Sequence, residues 1–271
     1  MNRINQTLEK TRQEGRKALV TYIVCGDPVV DATLVTMHKM VASGVDIIEL
    51  GVPFSDPMAE GPVIALGHER ALANKTSLKS TMAVVKAFRE TNNDTPVVLM
   101  GYANPVERMG YEVFAQRASE AGVDGLLTVD LPPEEAEPLN EQLKKVGIEN
   151  IFLIAPTTTK DRAQQIANLA GGFLYYVSLK GVTGAGHLDV GSVEAKLAEL
   201  RQLTDLPICV GFGIKDAQTA KAIAKTADGA VVGSLLVDKM GALAEQPAED
   251  IADAVVDLIR PIREGLDELK S

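Results

Sequence analysis

Eight short apolar runs rich in Val, Ile and Leu recur along the chain, at Leu19–Val24, Ile47–Gly51, Val97–Met100, Gly125–Val129, Ile151–Ala155, Leu174–Ser178, Ile208–Phe212 and Ala230–Ser234. Their hydrophobicity is continuous rather than alternating, which marks strands covered on both faces, as in parallel sheets. Between them, apolar residues fall at helical spacing and predict helices over Leu34–Ser43, Leu78–Glu90, Tyr111–Ala121, Glu134–Val146, Asp161–Ala170, Val193–Leu203 and Ala217–Thr226. Near the end, Ile251, Ala254, Val255, Leu258 and Ile259 share one helix face, and Pro261 is expected to kink or divide that helix. Gly44, Gly122, Gly147 and Gly171 stand where helices stop, as suits a residue that needs positive φ.

Strict β/α alternation through eight units predicts a single (β/α)8 TIM barrel, the alternative being a doubly wound open sheet. The segment Ile4–Gln13 precedes the first strand and reads as an extra helix closing the barrel bottom. No linker or charge block interrupts the pattern, so residues 1–271 are read as one domain.

Composition narrows the function classes. Apolar residues make up 46% of the 271 and charged residues 24%, enough for a sizeable core. A formal charge of −10 argues against nucleic acid, whose recognition needs a clustered basic surface. No stretch resembles a leader or a membrane span, so a cytosolic protein is expected. Cys25 and Cys209 both fall inside apolar runs and read as buried thiols rather than as a disulfide or zinc ligands.

In barrels of this kind the C-terminal strand ends and the loops after them form the active site. Polar residues there are Glu49 in IIELG, those of VPFSDPMAEGP, Tyr102 and Asn104 in GYANP, Asp130, Tyr175, and those of GVTGAG (181–186), GFG (211–213) and GS (233–234). Loops after strands seven and eight often cradle a phosphate with backbone amides at a short helix N-terminus. Gly213 and Gly233 permit that close approach, Ser234 adds a hydroxyl, Gly184 offers another amide, and LLVDKM can start the phosphate-binding helix after strand eight. Tight strand-to-helix turns are the alternative use of these glycines.

Glu49 is a carboxyl inside an apolar strand, where burial raises its pKa and suits it to acid/base work near neutrality. A structural ion pair is the alternative. Glu60, Asp56 and Asp130 are weaker as loop carboxylates, and His38, His68 and His187 show no metal or triad spacing and read as surface or packing residues.

The segments ALVTYIVCGDP, DIIELGVPFSDPMAEGPVI, GYANPV, GVTGAG, GFGI and GS, in this order and spacing, resemble the tryptophan synthase alpha subunit family over essentially the whole chain. The resemblance implies a lyase that cleaves indole-3-glycerol phosphate in a retro-aldol manner to indole and glyceraldehyde 3-phosphate. It implies no cofactor in this chain, and a beta-subunit partner containing pyridoxal phosphate in an α2β2 assembly. Glu49 falls on the family's acid/base residue and Glu60 on its second carboxylate. Tyr175 matches the strand-six position, and Thr183 lies on a lid loop that closes toward the second carboxylate. Tyr22, Met100, Leu127 and Phe212 would line the indole pocket; Gly184, Gly213, Gly233 and Ser234 would hold the phosphate. Pro57, Met58, Asn104 and Pro132 would face the partner.

Two positions depart from the family pattern. Glu60 replaces the usual Asp, so either the loop shifts by about 1.5 Å, one bond length, or the side chain folds back. Ala65 stands where many members carry Gln. Two other readings remain at this point: a catalytically weak barrel retained as a binding or allosteric subunit, and a phosphate-barrel isomerase.

Overall fold

Eight parallel strands, β1 (Ala18–Val24), β2 (Ile47–Gly51), β3 (Val97–Gly101), β4 (Gly125–Thr128), β5 (Glu149–Ile154), β6 (Leu174–Val177), β7 (Ile208–Gly211) and β8 (Gly229–Val232), close in chain order with β8 on β1. The computed structural model describes residues 2–178, 190–211 and 213–270. Closure removes the open-sheet alternative. The helices are α1 (Arg3–Gln13), α2 (Val30–Ala42), α3 (Pro62–Ala73), α4 (Leu78–Arg89), α5 (Ala103–Met109), α6 (Tyr111–Ala121), α7 (Glu137–Lys145), α8 (Lys160–Leu169), α9 (Val190–Leu200), α10 (Ala217–Ala224), α11 (Ser234–Ala242) and α12 (Ala248–Asp267).

Successive side chains of a strand alternate in direction, so each apolar run supplies two cores. Leu19, Ile23, Ile48, Leu50, Leu99 and Val210 face outward into the layer covered by the helices. Ala18, Val20, Ile47, Val98, Leu127, Ile151, Cys209 and Val231 face inward and fill the barrel. Ile4 and Leu8 of α1 join that interior cluster, so the first helix plugs the bottom as expected. Asp124 anchors the plug: it accepts from Arg3 Nη1 at 2.9 Å, from Arg89 Nη2 at 2.7 Å and from the Val97 amide at 2.9 Å.

Several boundaries differ from the sequence reading. Pro261 does not divide the last helix, which runs unbroken from Ala248 to Asp267. Ile259, Ile262 and Leu266 are buried on both sides of the proline, and this packing outweighs the one lost backbone hydrogen bond. The segment expected as one helix from Glu134 splits into a 3-10 turn, Pro133–Glu135, followed by α7, because Pro138 sits in the first turn of α7 and disfavours helix before it. The positive φ after α8 falls on Gly172 (69°), not Gly171, because α8 ends in an extended Ala170. Ser234 leaves β8 to open α11 instead. Helices α3 and α5 were not read from the sequence at all.

Candidate active site

Strand parity places Glu49 on the inward face. It is paired in register with Tyr22 of β1 on one side and Val98 of β3 on the other. Tyr22 and Tyr175 lie over glycines, and a Cβ on Gly51 or Gly211 would collide with the Tyr22 or Tyr175 hydroxyl, respectively. The bare tops of β2 and β7 thus make room for two aromatic rings at the barrel mouth. Met100 packs against both the interior cluster that holds Leu127 and Tyr175 and the small cluster of Tyr22, Val24, Ala71 and Val237. Tyr22, Met100, Leu127, Tyr175 and Glu49 therefore share one inner surface.

Glu49 is fully buried and neither of its oxygens has a hydrogen-bond partner among the described residues. Removal from water penalises the charged form, and its pKa is pushed up to about 8. The same burial, with Glu49 and Glu60 nearby, raises the Tyr22 and Tyr175 hydroxyls well above their ordinary value, so both remain neutral proton donors. An ion pair, the structural alternative for Glu49, is absent from its described surroundings.

The second carboxylate reaches the mouth by a fold of the chain that the sequence reading missed. After the loop of residues 52–61, Pro62 at the first turn opens α3, which lies across the barrel top and packs Val63, Ile64 and Ala71 on Tyr22 and Val24. This helix is fastened by Arg70, which holds the buried Asp27 after β1 through two contacts of 2.6 and 3.0 Å. Glu60 turns inward, its side chain only 4% exposed, with Oε2 2.7 Å from Nε2 of His68. The contact is short but off the axis of a good hydrogen bond, so among the described residues the Glu60 oxygens lack an aligned donor.

His68, read from the sequence as a surface or packing residue, is buried at 1% exposure and lies against Glu60, the Tyr22 hydroxyl at 3.3 Å and the Phe54 amide, contacts the sequence reading did not anticipate. The signal for these contacts is its place eight residues after Glu60, on a helix that Pro62 and the Ala-containing run announce. Tyr102 also has a positioning part: its hydroxyl accepts from the Ala59 amide at 3.1 Å, and its ring stacks on Phe54 at 4.8 Å. Asp130 accepts from the Ala103 amide at 2.7 Å, fixing the start of α5 rather than facing the carboxyls. Met58 is 81% exposed, beside Glu60 in the chain.

Beyond β1 on the same rim, Gly213 has φ 76° after β7, and Gly233, where a Cβ would lie 3.4 Å from the Tyr22 side chain, precedes Ser234 at the first turn of α11, whose end has no side-chain cap. Thr183, Gly184 and Phe212 lie outside the described residues. Among the described residues no group of three or more His, Cys, Asp or Glu side chains is placed to hold a metal ion, and no helix is long and apolar enough to cross a membrane.

A closed β/α barrel that gathers a buried carboxyl and a second carboxyl at the C-terminal ends of its strands is the architecture of a barrel enzyme. The family profile described as tryptophan synthase alpha chain matches residues 8–264. The chain is 53% identical over 269 residues to the tryptophan synthase alpha chain of Marinobacter nauticus, covering 99% of each, and 55% identical over 267 residues to that of Thioalkalivibrio sulfidiphilus, covering 98% and 100%. The crystal structure of tryptophan synthase subunit alpha from Legionella pneumophila superposes with a TM-score of 0.92 at 43% identity, covering 99% of each chain. This chain belongs to the tryptophan synthase alpha chain family.

Proposed function

We propose that the chain is a single-domain cytoplasmic lyase that cleaves indole-3-glycerol phosphate to indole and glyceraldehyde 3-phosphate, with Glu49 as the acid/base group. The observation that carries this reading is the buried Glu49 carboxyl, without a hydrogen-bond partner among the described residues and with its pKa pushed up to about 8 by desolvation, on the inner surface lined by Tyr22, Met100, Leu127 and Tyr175. Glu49 delivers its proton to the indole ring carbon that bears the glycerol chain, which leaves positive charge at the ring nitrogen. The Glu60 carboxylate stabilises that charge. Glu49, now a carboxylate, removes the proton of the adjacent glycerol hydroxyl. The carbon–oxygen bond becomes a carbonyl, the carbon–carbon bond breaks, and its electron pair restores the indole. Glu49 ends protonated, and no cofactor of this chain takes part.

The apolar wall of Tyr22, Met100, Leu127 and Tyr175 suits the indole ring, and the Gly213 and Gly233–Ser234 turns suit the phosphate. Thr183, Gly184 and Phe212 enter only through the family resemblance. The indole passes to a beta subunit carrying pyridoxal phosphate in an α2β2 assembly, with Pro57, exposed Met58, Asn104 and Pro132 on the partner side. The test is indole formation from indole-3-glycerol phosphate with and without a purified beta subunit. Cleavage that the partner accelerates is the expected result; no cleavage in either condition would leave only a binding or allosteric subunit.

The phosphate assignment has its own test in glycerol phosphate affinity measured by calorimetry. Ser234→Ala should weaken binding modestly, because one neutral hydroxyl hydrogen bond contributes roughly 0.5 to 1.5 kcal/mol and the amides remain. Gly213→Val should weaken it more, since φ of 76° strains a β-branched residue and its side chain intrudes on the phosphate. Binding unchanged in both variants would remove the phosphate from this face.

A further inference from the structure

We propose that His68 is a positioning residue for this cleavage, a neutral imidazole locked in the Nε2–H tautomer that aims the Glu60 carboxylate; the proposal rests on the reaction assigned above. The Phe54 amide donates to His68 Nδ1 at 2.9 Å. That ring nitrogen therefore carries no proton, and in a neutral ring the proton sits on Nε2. Nε2 faces the Glu60 carboxylate at 2.7 Å and the Tyr22 hydroxyl at 3.3 Å. A second proton would set an Nδ1–H against the Phe54 N–H, two donors at hydrogen-bond distance in a buried place.

The carboxylates around the ring would by charge alone favour a second proton, and the Phe54 N–H on Nδ1 is what opposes it. Glu60 comes from the loop, Tyr22 from β1, and Asp27 from the turn after β1, where it faces Arg70 of α3 at 2.6 Å. Asp27 is thus already paired, and Tyr102 faces Glu60 from beyond β3. A carboxylate beside a neutral Nε2–H keeps its full charge, which is what stabilising a cationic indole nitrogen requires; a histidinium would neutralise it.

His68 also joins the two ends of one loop. Phe54 near its start and Glu60 near its end both touch this ring, while the Ala59 amide and the Phe54 ring are held by Tyr102. A histidine needed only for packing would have no reason to meet the carboxylate. The Glu60–His68 contact is short but poorly aligned, and catalytic hydrogen bonds commonly tighten only with substrate in place.

Two substitutions separate the ring nitrogens. In His68→Asn the amide oxygen can take the place of Nδ1 for the Phe54 N–H, but no donor reaches Glu60. In His68→Gln the amide N–H takes the place of Nε2, and the Phe54 acceptor is lost. With the full-length chain and indole-3-glycerol phosphate, His68→Asn should lower kcat roughly tenfold with little change in KM, the effect of one hydrogen bond to a charged group, and His68→Gln should recover most of kcat. Asparagine turning over as fast as glutamine or faster would overturn the proposal. A measurement on the parent protein does not depend on activity or on the variants folding. In 15N spectra at the pH of the assay, with His68 assigned by its loss in His68→Gln, the ring should show an unprotonated Nδ1 and a protonated Nε2. A ring protonated on Nδ1, alone or together with Nε2, overturns the proposal. A parent chain that cleaves nothing sinks the assigned reaction instead, and the spectra still decide the tautomer.

Discussion

Replacing Glu49 with glutamine is expected to remove most turnover and, at neutral pH, to make the folded chain more stable. Glutamine keeps the size of the side chain and inherits its missing hydrogen-bond partners, but it cannot exchange a proton. Positioned acid/base groups contribute about 10² to 10⁴ in rate, and Glu49 serves both half-reactions, so a loss near the upper end, about a thousandfold or more, is expected in kcat. The stability gain follows from burial. Glutamate ionises near its model value of 4.5 in the unfolded chain but is held up to about 8 in the fold. Below the unfolded pKa both states are protonated and the penalty is absent. As pH rises from there toward 8, the unfolded chain loses a proton that the folded chain keeps, and the fold loses stability relative to Glu49→Gln. Each pKa unit corresponds to about 1.4 kcal/mol, so the gap should widen to several kcal/mol near pH 8 and close near pH 4. Denaturant unfolding of parent and variant at those two pH values checks this. A gap independent of pH would mean that Glu49 is not held protonated.

The second large effect is expected at Glu60, where the three residues Glu, Gln and Asp ask different questions. Glu60→Gln keeps the side-chain length but removes the charge that offsets a cationic ring nitrogen in a water-poor site; loss of one such electrostatic group costs on the order of 10²-fold in kcat. Glu60→Asp restores the commoner family residue yet withdraws the carboxylate by about 1.5 Å, one carbon–carbon bond. Glu60 is buried against His68 at 2.7 Å, and its loop is tied by Phe54 and Ala59, so the backbone is not free to follow the shorter side chain. Turnover of Glu60→Asp should therefore fall about tenfold, the effect of one strong hydrogen bond. Steady-state rates on indole-3-glycerol phosphate decide it. An aspartate variant matching the parent would show that the site has not adapted to the longer residue, and a glutamine variant with full activity would take Glu60 out of the reaction.

How far the sequence disclosed this arrangement depends on what each segment reports locally. The eight strands were readable because a strand covered on both faces is apolar at every position, and the alternation with helical spacing named the barrel. Glu49 stood out for the same reason: it is the charged residue within IIELG. Helix α3 was missed because it crosses the barrel mouth, packing a narrow stripe of Val63, Ile64 and Ala71 while Leu66 and Leu72 stay exposed, so its apolar residues do not fall on one face. With α3 unseen, His68 had no route to Glu60 and read as packing. Asp130 was singled out for its position after β4, but a carboxylate that caps a helix start and one that meets a substrate look alike in a sequence. Pro261 misled because proline's cost is local, whereas the packing that carries α12 through it is tertiary.

The most direct measurement is the first-order rate of glyceraldehyde 3-phosphate release in a single turnover of indole-3-glycerol phosphate, followed across pH for the parent and for Glu49→Gln. A buried carboxyl that must start protonated predicts a parent rate that is steady at neutral pH and declines as pH rises through about 8, with the variant at background throughout. Release by Glu49→Gln at the parent's rate, or no release by the parent at any pH, would contradict the account.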